Sequence, residues 1–182
     1  MRWYLQLLGL AVVVSLFSGC QKENIDTDLN EIDQEVLFQF EFINHAWGDH
    51  HRGWLIDSSG NVLCYDAPEN WNFGDSEGII TESEMSGNLQ ATSSVCTNVS
   101  TEELLSRFQL IEGASKGELS DPVNEMYDAG VSAYFGFIYD PDKQVYKRVL
   151  LKQTGDFAIN NTSREAILLY HWLNQVDEET RQ

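Results

Sequence analysis

The segment VLFQFEF alternates between apolar and polar side chains with a period of two. Phe38, Phe40 and Phe42 fall on one side of an extended chain, whereas Gln39 and Glu41 fall on the other. Successive side chains of a β-strand point to opposite faces, so this pattern is typical of a strand with one face in the core. The segment therefore predicts a strand whose phenylalanine face is buried.

Two pairs of apolar runs, each interrupted by turn residues, predict two β-hairpins. In the first, the turn DSSGN at residues 57–61 separates the runs WLI and VLCY. Glycine and asparagine tolerate the positive φ angles that such a turn needs. In the second, the turn Asp140-Pro141-Asp142 separates two longer runs. Proline presets φ for a type I turn, and aspartate accepts a local hydrogen bond.

The spacing of a capping box marks the start of two helices. Ser100 precedes Glu103 by three residues, and Thr162 precedes Glu165 by the same distance. Apolar residues at helical spacing follow each start, which predicts amphipathic helices that pack on a sheet. These residues are Leu104, Leu105, Phe108 and Ile111 in the first helix and Ala166, Leu169, Tyr170 and Leu173 in the second.

The order of the predicted elements determines the fold class. A short helix is predicted over residues 81–89 and a loop over residues 93–98, between the two hairpins. Strands and helices that are segregated along the chain are typical of the α+β class. We therefore predict a single α+β domain over residues 35–182. Its mainly antiparallel sheet is built from the two hairpins and is covered on one face by two or three helices.

The composition supports one folded domain and excludes one class of partner. Hydrophobic residues make up 42% of the chain, which is enough for an ordinary core. The formal net charge is −18. A chain this acidic lacks the basic surface that binds phosphates, so nucleic acid is not predicted as a partner. The charge itself is expected to keep the domain dispersed in water.

The first 19 residues have the layout of an export signal. Arg2 precedes roughly a dozen mostly apolar residues, and the small pair Ser18-Gly19 follows them. The apolar run is shorter than the roughly 20 residues that a helix needs to cross a bilayer. Residues 1–19 are therefore predicted to be a cleavable signal peptide rather than a membrane-spanning helix.

The sequence LFSGC, which ends at Cys20, resembles the lipobox of bacterial lipoproteins. The resemblance implies cleavage before Cys20, a diacylglyceryl group on its thiol and acylation of the new amino group. Several acyl chains hold a protein on a membrane far more firmly than one chain can. The partner implied for Cys20 is therefore the membrane, and the class implied for the protein is a lipoprotein.

The residues after Cys20 predict a tether and a location. Residues 20–34 are rich in acids and amides, so beyond the lipidated cysteine they are predicted to form a flexible, self-repelling tether. The sequence QKEN at residues 21–24 is similar to the short export signal that sends lipoproteins of Bacteroidota to the outside of the outer membrane. The resemblance implies an outer-membrane protein on the cell surface, with the periplasmic face as the alternative.

Cys64 and Cys96 are the two cysteines that remain when Cys20 is acylated. In an oxidising compartment they can form a disulfide that closes a loop of about 31 residues. Two separate buried thiols are the alternative, and the sequence leaves both open.

The segment NHAWGDHHRGW holds three of the four histidines. Zinc ligands usually converge from rigid elements, whereas these residues lie at the end of a predicted strand and in the loop after it. Their spacing matches no metal motif, and we predict neither a metal nor another cofactor. The sequence also lacks a nucleophile elbow and a phosphate loop. An enzyme remains an alternative, either a hydrolase or a metal-dependent enzyme that uses His45, Asp49 and His50.

Trp47, beside Gly48 in the same loop, is the best candidate for an exposed ring that binds a ligand. Trp54 and Trp71 are instead predicted to lie in the core, because each ring buries a large apolar area. Surface lipoproteins that resemble this chain at the N-terminus often handle glycans. We therefore predict a non-enzymatic module that binds a glycan, a peptide or a protein through Trp47, His45, Asp49 and His50.

Three segments of the globular part resemble an uncharacterised bacterial lipoprotein domain. They are GWLIDSSGNVLCYDAPENW, DAGVSAYFGFIYD and GDFAINNTSREAILLYHWL. This resemblance implies no activity, so a purely structural role in the envelope also stays open.

Overall fold

The computed structural model describes residues 32–181, which form nine β-strands and four α-helices. The strands are β1 (Val36–Asn44), β2 (His50–Asp57), β3 (Asn61–Asp66), β4 (Ile79–Thr81), β5 (Ser94–Asn98), β6 (Val123–Asn124), β7 (Val131–Asp140), β8 (Val145–Gly155) and β9 (Phe157–Asn160). The helices are α1 (Glu82–Gln90), α2 (Thr101–Phe108), α3 (Ile111–Ser115) and α4 (Arg164–Thr180). The predicted signal peptide, Cys20 and most of the tether lie outside the described residues.

The strands pair in the order β5-β3-β2-β1-β7-β8-β9-β6, and β4 pairs with β8 outside this path. Each pairing between these strands is antiparallel. The predicted hairpins are β2–β3 and β7–β8, and β1 joins them because it pairs with both β2 and β7. This architecture confirms the predicted α+β class and the mainly antiparallel sheet.

The turn of the first hairpin shows why its sequence was informative. The Asp57 carboxylate accepts hydrogen bonds from the backbone amides of Ser59 (2.9 Å) and Asn61 (2.8 Å). Gly60 has a φ of +84°, and a Cβ atom there would lie 2.2 Å from the carbonyl oxygen of Val99. Glycine therefore suits this position for both its conformational freedom and its size.

The helices cover both faces of the sheet. Helices α2, α3 and α4 pack on the face that carries Phe38, Phe40 and Trp54. Helix α1 places Met85 against Leu55 on the opposite face. The prediction that the helices share one face was wrong, because the central strands carry large apolar side chains on both faces and each face needs a cover.

The helix starts confirm the helices but correct one cap. Ser100 Oγ accepts a hydrogen bond from the Glu103 amide at 3.3 Å, as expected. Helix α4 is capped by Ser163, whose Oγ accepts from the Ala166 amide at 3.1 Å, one residue after the predicted Thr162. Thr162 Oγ1 instead donates to the carbonyl oxygen of Glu118.

Residues 94–98, predicted to be a loop, form strand β5 on the edge of the sheet beside β3. The structure also joins Cys64 of β3 to Cys96 of β5 by a disulfide, with the two Cα atoms 6.0 Å apart. Of the two states that the sequence left open, the structure therefore has the bridge. Strand β5 is short and has few apolar residues, so its sequence shows no alternating pattern. Its formation depends on pairing with β3.

The folded region begins earlier than the predicted boundary at residue 35. The Gln34 side chain is 6% exposed. Its amide nitrogen donates to the carbonyl oxygen of Phe137 (3.0 Å), and its amide oxygen accepts from the Tyr139 backbone amide (3.1 Å). Ile32 packs against the main core cluster. The last residues assigned to the tether are thus part of the domain.

Candidate functional site

The residues predicted to bind a ligand lie in the turn that connects β1 and β2. Trp47 is 75% exposed and projects from this turn. His45 Nδ1 lies 2.9 Å from a carboxylate oxygen of Asp49, and both side chains are largely exposed. His50, the first residue of β2, is also exposed. The structure therefore brings His45 and Asp49 into contact on the surface rather than in a cleft.

Asn44 holds this turn in place. The side chain is buried at the end of β1, and its oxygen accepts a hydrogen bond from the Ala46 amide at 2.8 Å. Its nitrogen donates to the carbonyl oxygen of Asp128 at 3.1 Å. One side chain thus fixes the β1–β2 turn and links it to a second loop.

The second loop, residues 125–129, precedes β7 and is also anchored by hydrogen bonds. The Asp156 carboxylate accepts from the Ala129 amide at 2.8 Å. Gly130 packs so closely on β1 that a Cβ atom there would lie 2.5 Å from the carbonyl oxygen of Ile43. Tyr127, at the outer part of this loop, is 86% exposed.

We call residues 44–50 and 125–129 together the two-loop surface. It presents two exposed aromatic side chains, Trp47 and Tyr127, on loops that Asn44 connects. Aromatic rings supply large contact areas with little loss of side-chain entropy on binding. Large apolar side chains that remain exposed on an ordered surface often mark an interaction site. The arrangement is therefore suited to stacking against a ligand.

Two acidic residues near the second loop contribute to its backbone hydrogen bonds. Asp156 accepts from the backbone of the second loop, and Asp128 contributes its backbone carbonyl to Asn44. Within residues 32–181, no group of three histidine, cysteine or acidic side chains is arranged to hold a metal ion.

Sequence reasoning missed a buried polar network on the face of the sheet that α1 covers. Glu41 is 5% exposed, and one carboxylate oxygen lies 3.1 Å from His51 Nε2 and 3.3 Å from Gln39 Nε2. The other oxygen lies 3.9 Å from Arg148 Nη1. The period of two placed Gln39 and Glu41 opposite the phenylalanines, but it could not indicate that their face is covered as well.

Aromatic rings enclose this network. The His51 ring lies 5.1 to 5.3 Å from the rings of Tyr65, Trp71 and Phe73. Tyr65 Oη donates to the carbonyl oxygen of Phe40 and accepts from Gln39 Nε2. Burial raises the pKa of Tyr65 well above its ordinary value, so the hydroxyl stays protonated. These contacts hold the polar network in the interior of the domain.

The remaining predicted tryptophans lie near the core. Trp54 is 1% exposed, and its Nε1 donates to Asp177 at 3.3 Å. Trp71 is half-buried and packs on Tyr65, with ring centroids 4.1 Å apart. Of the three tryptophans in the first half of the domain, only Trp47 is mainly exposed.

Over residues 32–181, no helix is both long and apolar enough to span a bilayer. The chain matches no protein-family model, no curated protein and no solved structure.

Proposed function

We propose that this protein is a lipid-anchored binding module on the outer membrane, exposed at the cell surface, and that its two-loop surface binds a glycan. The observation that carries the binding proposal is the exposure of Trp47 and Tyr127 on two loops held together by Asn44. The hydrogen bonds of Asn44 anchor the backbone of both loops, which lowers the entropy that the loops lose when a ligand binds.

The ligand class follows from the chemistry of the two-loop surface. Aromatic faces bind the apolar faces of sugar rings, while exposed acceptors such as Asp49 and carbonyl groups bind their hydroxyls. The net charge of −18 disfavours a polyanionic ligand. A neutral glycan therefore fits this surface better than an acidic polysaccharide.

The anchor is supported by sequence and by redox chemistry. The LFSGC sequence resembles a lipobox, and the resemblance implies acylation of Cys20. The disulfide between Cys64 and Cys96 suits an oxidising compartment, where such bridges form and persist. An anchored domain would present its binding surface outside the membrane.

A glycan array probed with the mature, detergent-solubilised protein tests the proposal. We expect Trp47→Ala to weaken binding by about 30-fold, equivalent to about 2 kcal/mol for a central aromatic contact. Tyr127→Ala is expected to weaken the binding of the same glycans. Val95→Ala is the control, since Val95 is an exposed apolar side chain (54%) on the edge strand β5, outside the two loops, and the substitution should leave binding unchanged. Binding that survives both loop substitutions would contradict the proposal.

The His45–Asp49 contact favours one alternative, an envelope hydrolase or metal-dependent enzyme. A carboxylate that orients an imidazole is a common arrangement around a general base. Metal analysis of the purified protein separates the alternatives. Stoichiometric zinc that disappears in His50→Ala would replace the binding proposal with the metal-dependent enzyme.

A further inference from the structure

A concave site lies between α4 and strands β8 and β9. Its volume is about 410 Å³, within the range of sites that bind small molecules. Leu151 forms part of the floor, and Ile167 and Tyr170 of α4 contribute apolar walls. Ile167 is 48% exposed, so its apolar surface is available to a ligand.

The buried polar side chain in the lining of this cleft already has hydrogen-bond partners within the protein. Asn161 is 4% exposed, and its nitrogen donates to the carbonyl oxygens of Ala114 (2.9 Å) and Leu150 (3.0 Å). Its oxygen accepts from the Ser163 amide at 3.1 Å. Asn161 therefore shapes the cleft and leaves recognition to other residues.

The charge of the cleft is opposite to that of the chain. The chain has 29 acidic residues and 11 lysines and arginines, yet the side chains that line the cleft include Lys152 and His171 and no carboxylate. Lys152 Nζ lies 4.3 Å from the centre of the Tyr170 ring. Among residues 32–181, Lys152 forms no ion pair with a carboxylate. Its ammonium group is thus available to an anion.

We propose that this cleft binds a small amphipathic carboxylate, which has an aryl or alkyl body and one acidic group. The carboxylate pairs with the ammonium group of Lys152. The apolar body lies against Leu151, Ile167 and Tyr170. His171 adds a second donor at the mouth of the cleft. The acid-free lining selects this ligand over a cation, and the volume selects a small molecule over a polymer.

Titration calorimetry of the mature protein in detergent, with 3-phenylpropionate and its amide 3-phenylpropionamide as probes, tests the proposal. The two probes have similar shapes and differ in charge. We expect the carboxylate to bind at least about tenfold more tightly than the amide, as a charge-assisted contact requires. Injection of each probe into detergent alone corrects for partitioning. Equal affinities, or no binding of the carboxylate, would overturn the proposal.

Variants assign the charge and the walls separately. Lys152→Gln should reduce carboxylate binding to the level of the amide, while Lys152→Arg should retain most of it. Ile167→Ser should weaken both probes together, since it removes apolar contact. Lys143→Gln is the matched control, because Lys143 lies in the β7–β8 turn and pairs with Asp140. Thermal unfolding of each variant checks that it is folded. Undiminished binding by folded Lys152→Gln would contradict the proposal.

Discussion

Two buried carboxylates illustrate how single residues set the behaviour of this domain. Asp177 of α4 is 4% exposed, accepts from Trp54 Nε1 and pairs with Arg181. Glu41 of β1 lies among His51, Gln39 and Arg148. Burial disfavours a charged group unless its partners compensate, so the two sites differ in what their charge does for stability.

Burial raises the pKa of Asp177, although Arg181 and the Trp54 hydrogen bond oppose this shift. The folded state then binds a proton more tightly than the unfolded chain does. Ionisation of Asp177 therefore reduces stability at neutral pH, and the loss disappears as pH falls below the unfolded pKa. We expect Asp177→Asn, which keeps an acceptor for Trp54, to unfold at a higher urea concentration than wild type at pH 7. This difference should shrink towards pH 4. Lower stability of the variant at pH 7 would mean that the Arg181 pair outweighs burial.

Glu41 is expected to stabilise the fold through its neighbours. Glu41→Ala would leave the largely buried Arg148 side chain without its acidic partner and remove an acceptor from His51 and Gln39. Loss of one member of a buried charged network typically costs about 3 kcal/mol. Urea denaturation should show a loss of this size. The exposed Asp49→Ala is the control, expected to change stability by less than about 0.5 kcal/mol. Similar effects for the two variants would contradict the account of the network.

At the scale of elements, local patterns predicted what local interactions determine. Turn chemistry at Asp57 and Gly60 and the cap at Ser100 identified one hairpin and one helix. Strand β5 was missed because it depends on pairing with β3, a contact between distant parts of the sequence. The covered second face was also missed. The polar side chain of Glu41 does not indicate that distant parts of the chain bury this face. The site followed the same rule: Trp47 was predicted to be exposed, but its link to Tyr127 depends on the nonlocal bond between Asn44 and Asp128.

The disulfide joins the edge strand β5 to β3 covalently. It closes a loop of about 31 residues between Cys64 and Cys96, and a cross-link of this span stabilises a domain by about 3 to 4 kcal/mol in the chain-entropy model. The free energy of unfolding of the double variant Cys64→Ser, Cys96→Ser should therefore be lower by this amount. The variant should unfold at a lower urea concentration than wild type. Adding a reductant should destabilise wild type and leave the double variant unchanged. Two alkylatable thiols in freshly unfolded wild-type protein would contradict the bridge.

At the scale of the whole molecule, the proposed anchor at Cys20 would hold the proposed binding domain at the membrane. Cys20 lies outside the described residues, and the lipobox resemblance carries its role. If Cys20 carries the proposed acyl chains, they would supply the membrane affinity. Cys20→Ser should then move the protein from the detergent phase to the aqueous phase in a detergent phase separation. Mass spectrometry of the wild type should show an acylated N-terminal cysteine. A variant that still partitions into detergent would contradict the anchor.

The proposed binding surface is tested most directly by hydrogen exchange of the mature protein, with and without the glycan that binds best on the array. Exchange slows where a ligand covers or rigidifies the backbone. We expect slower exchange in peptides that cover residues 44–50 and 125–129, and the same peptides should show no change in Trp47→Ala. Protection confined to other regions, such as residues 151–171, or no protection at a saturating glycan concentration, would contradict the assignment of the two-loop surface.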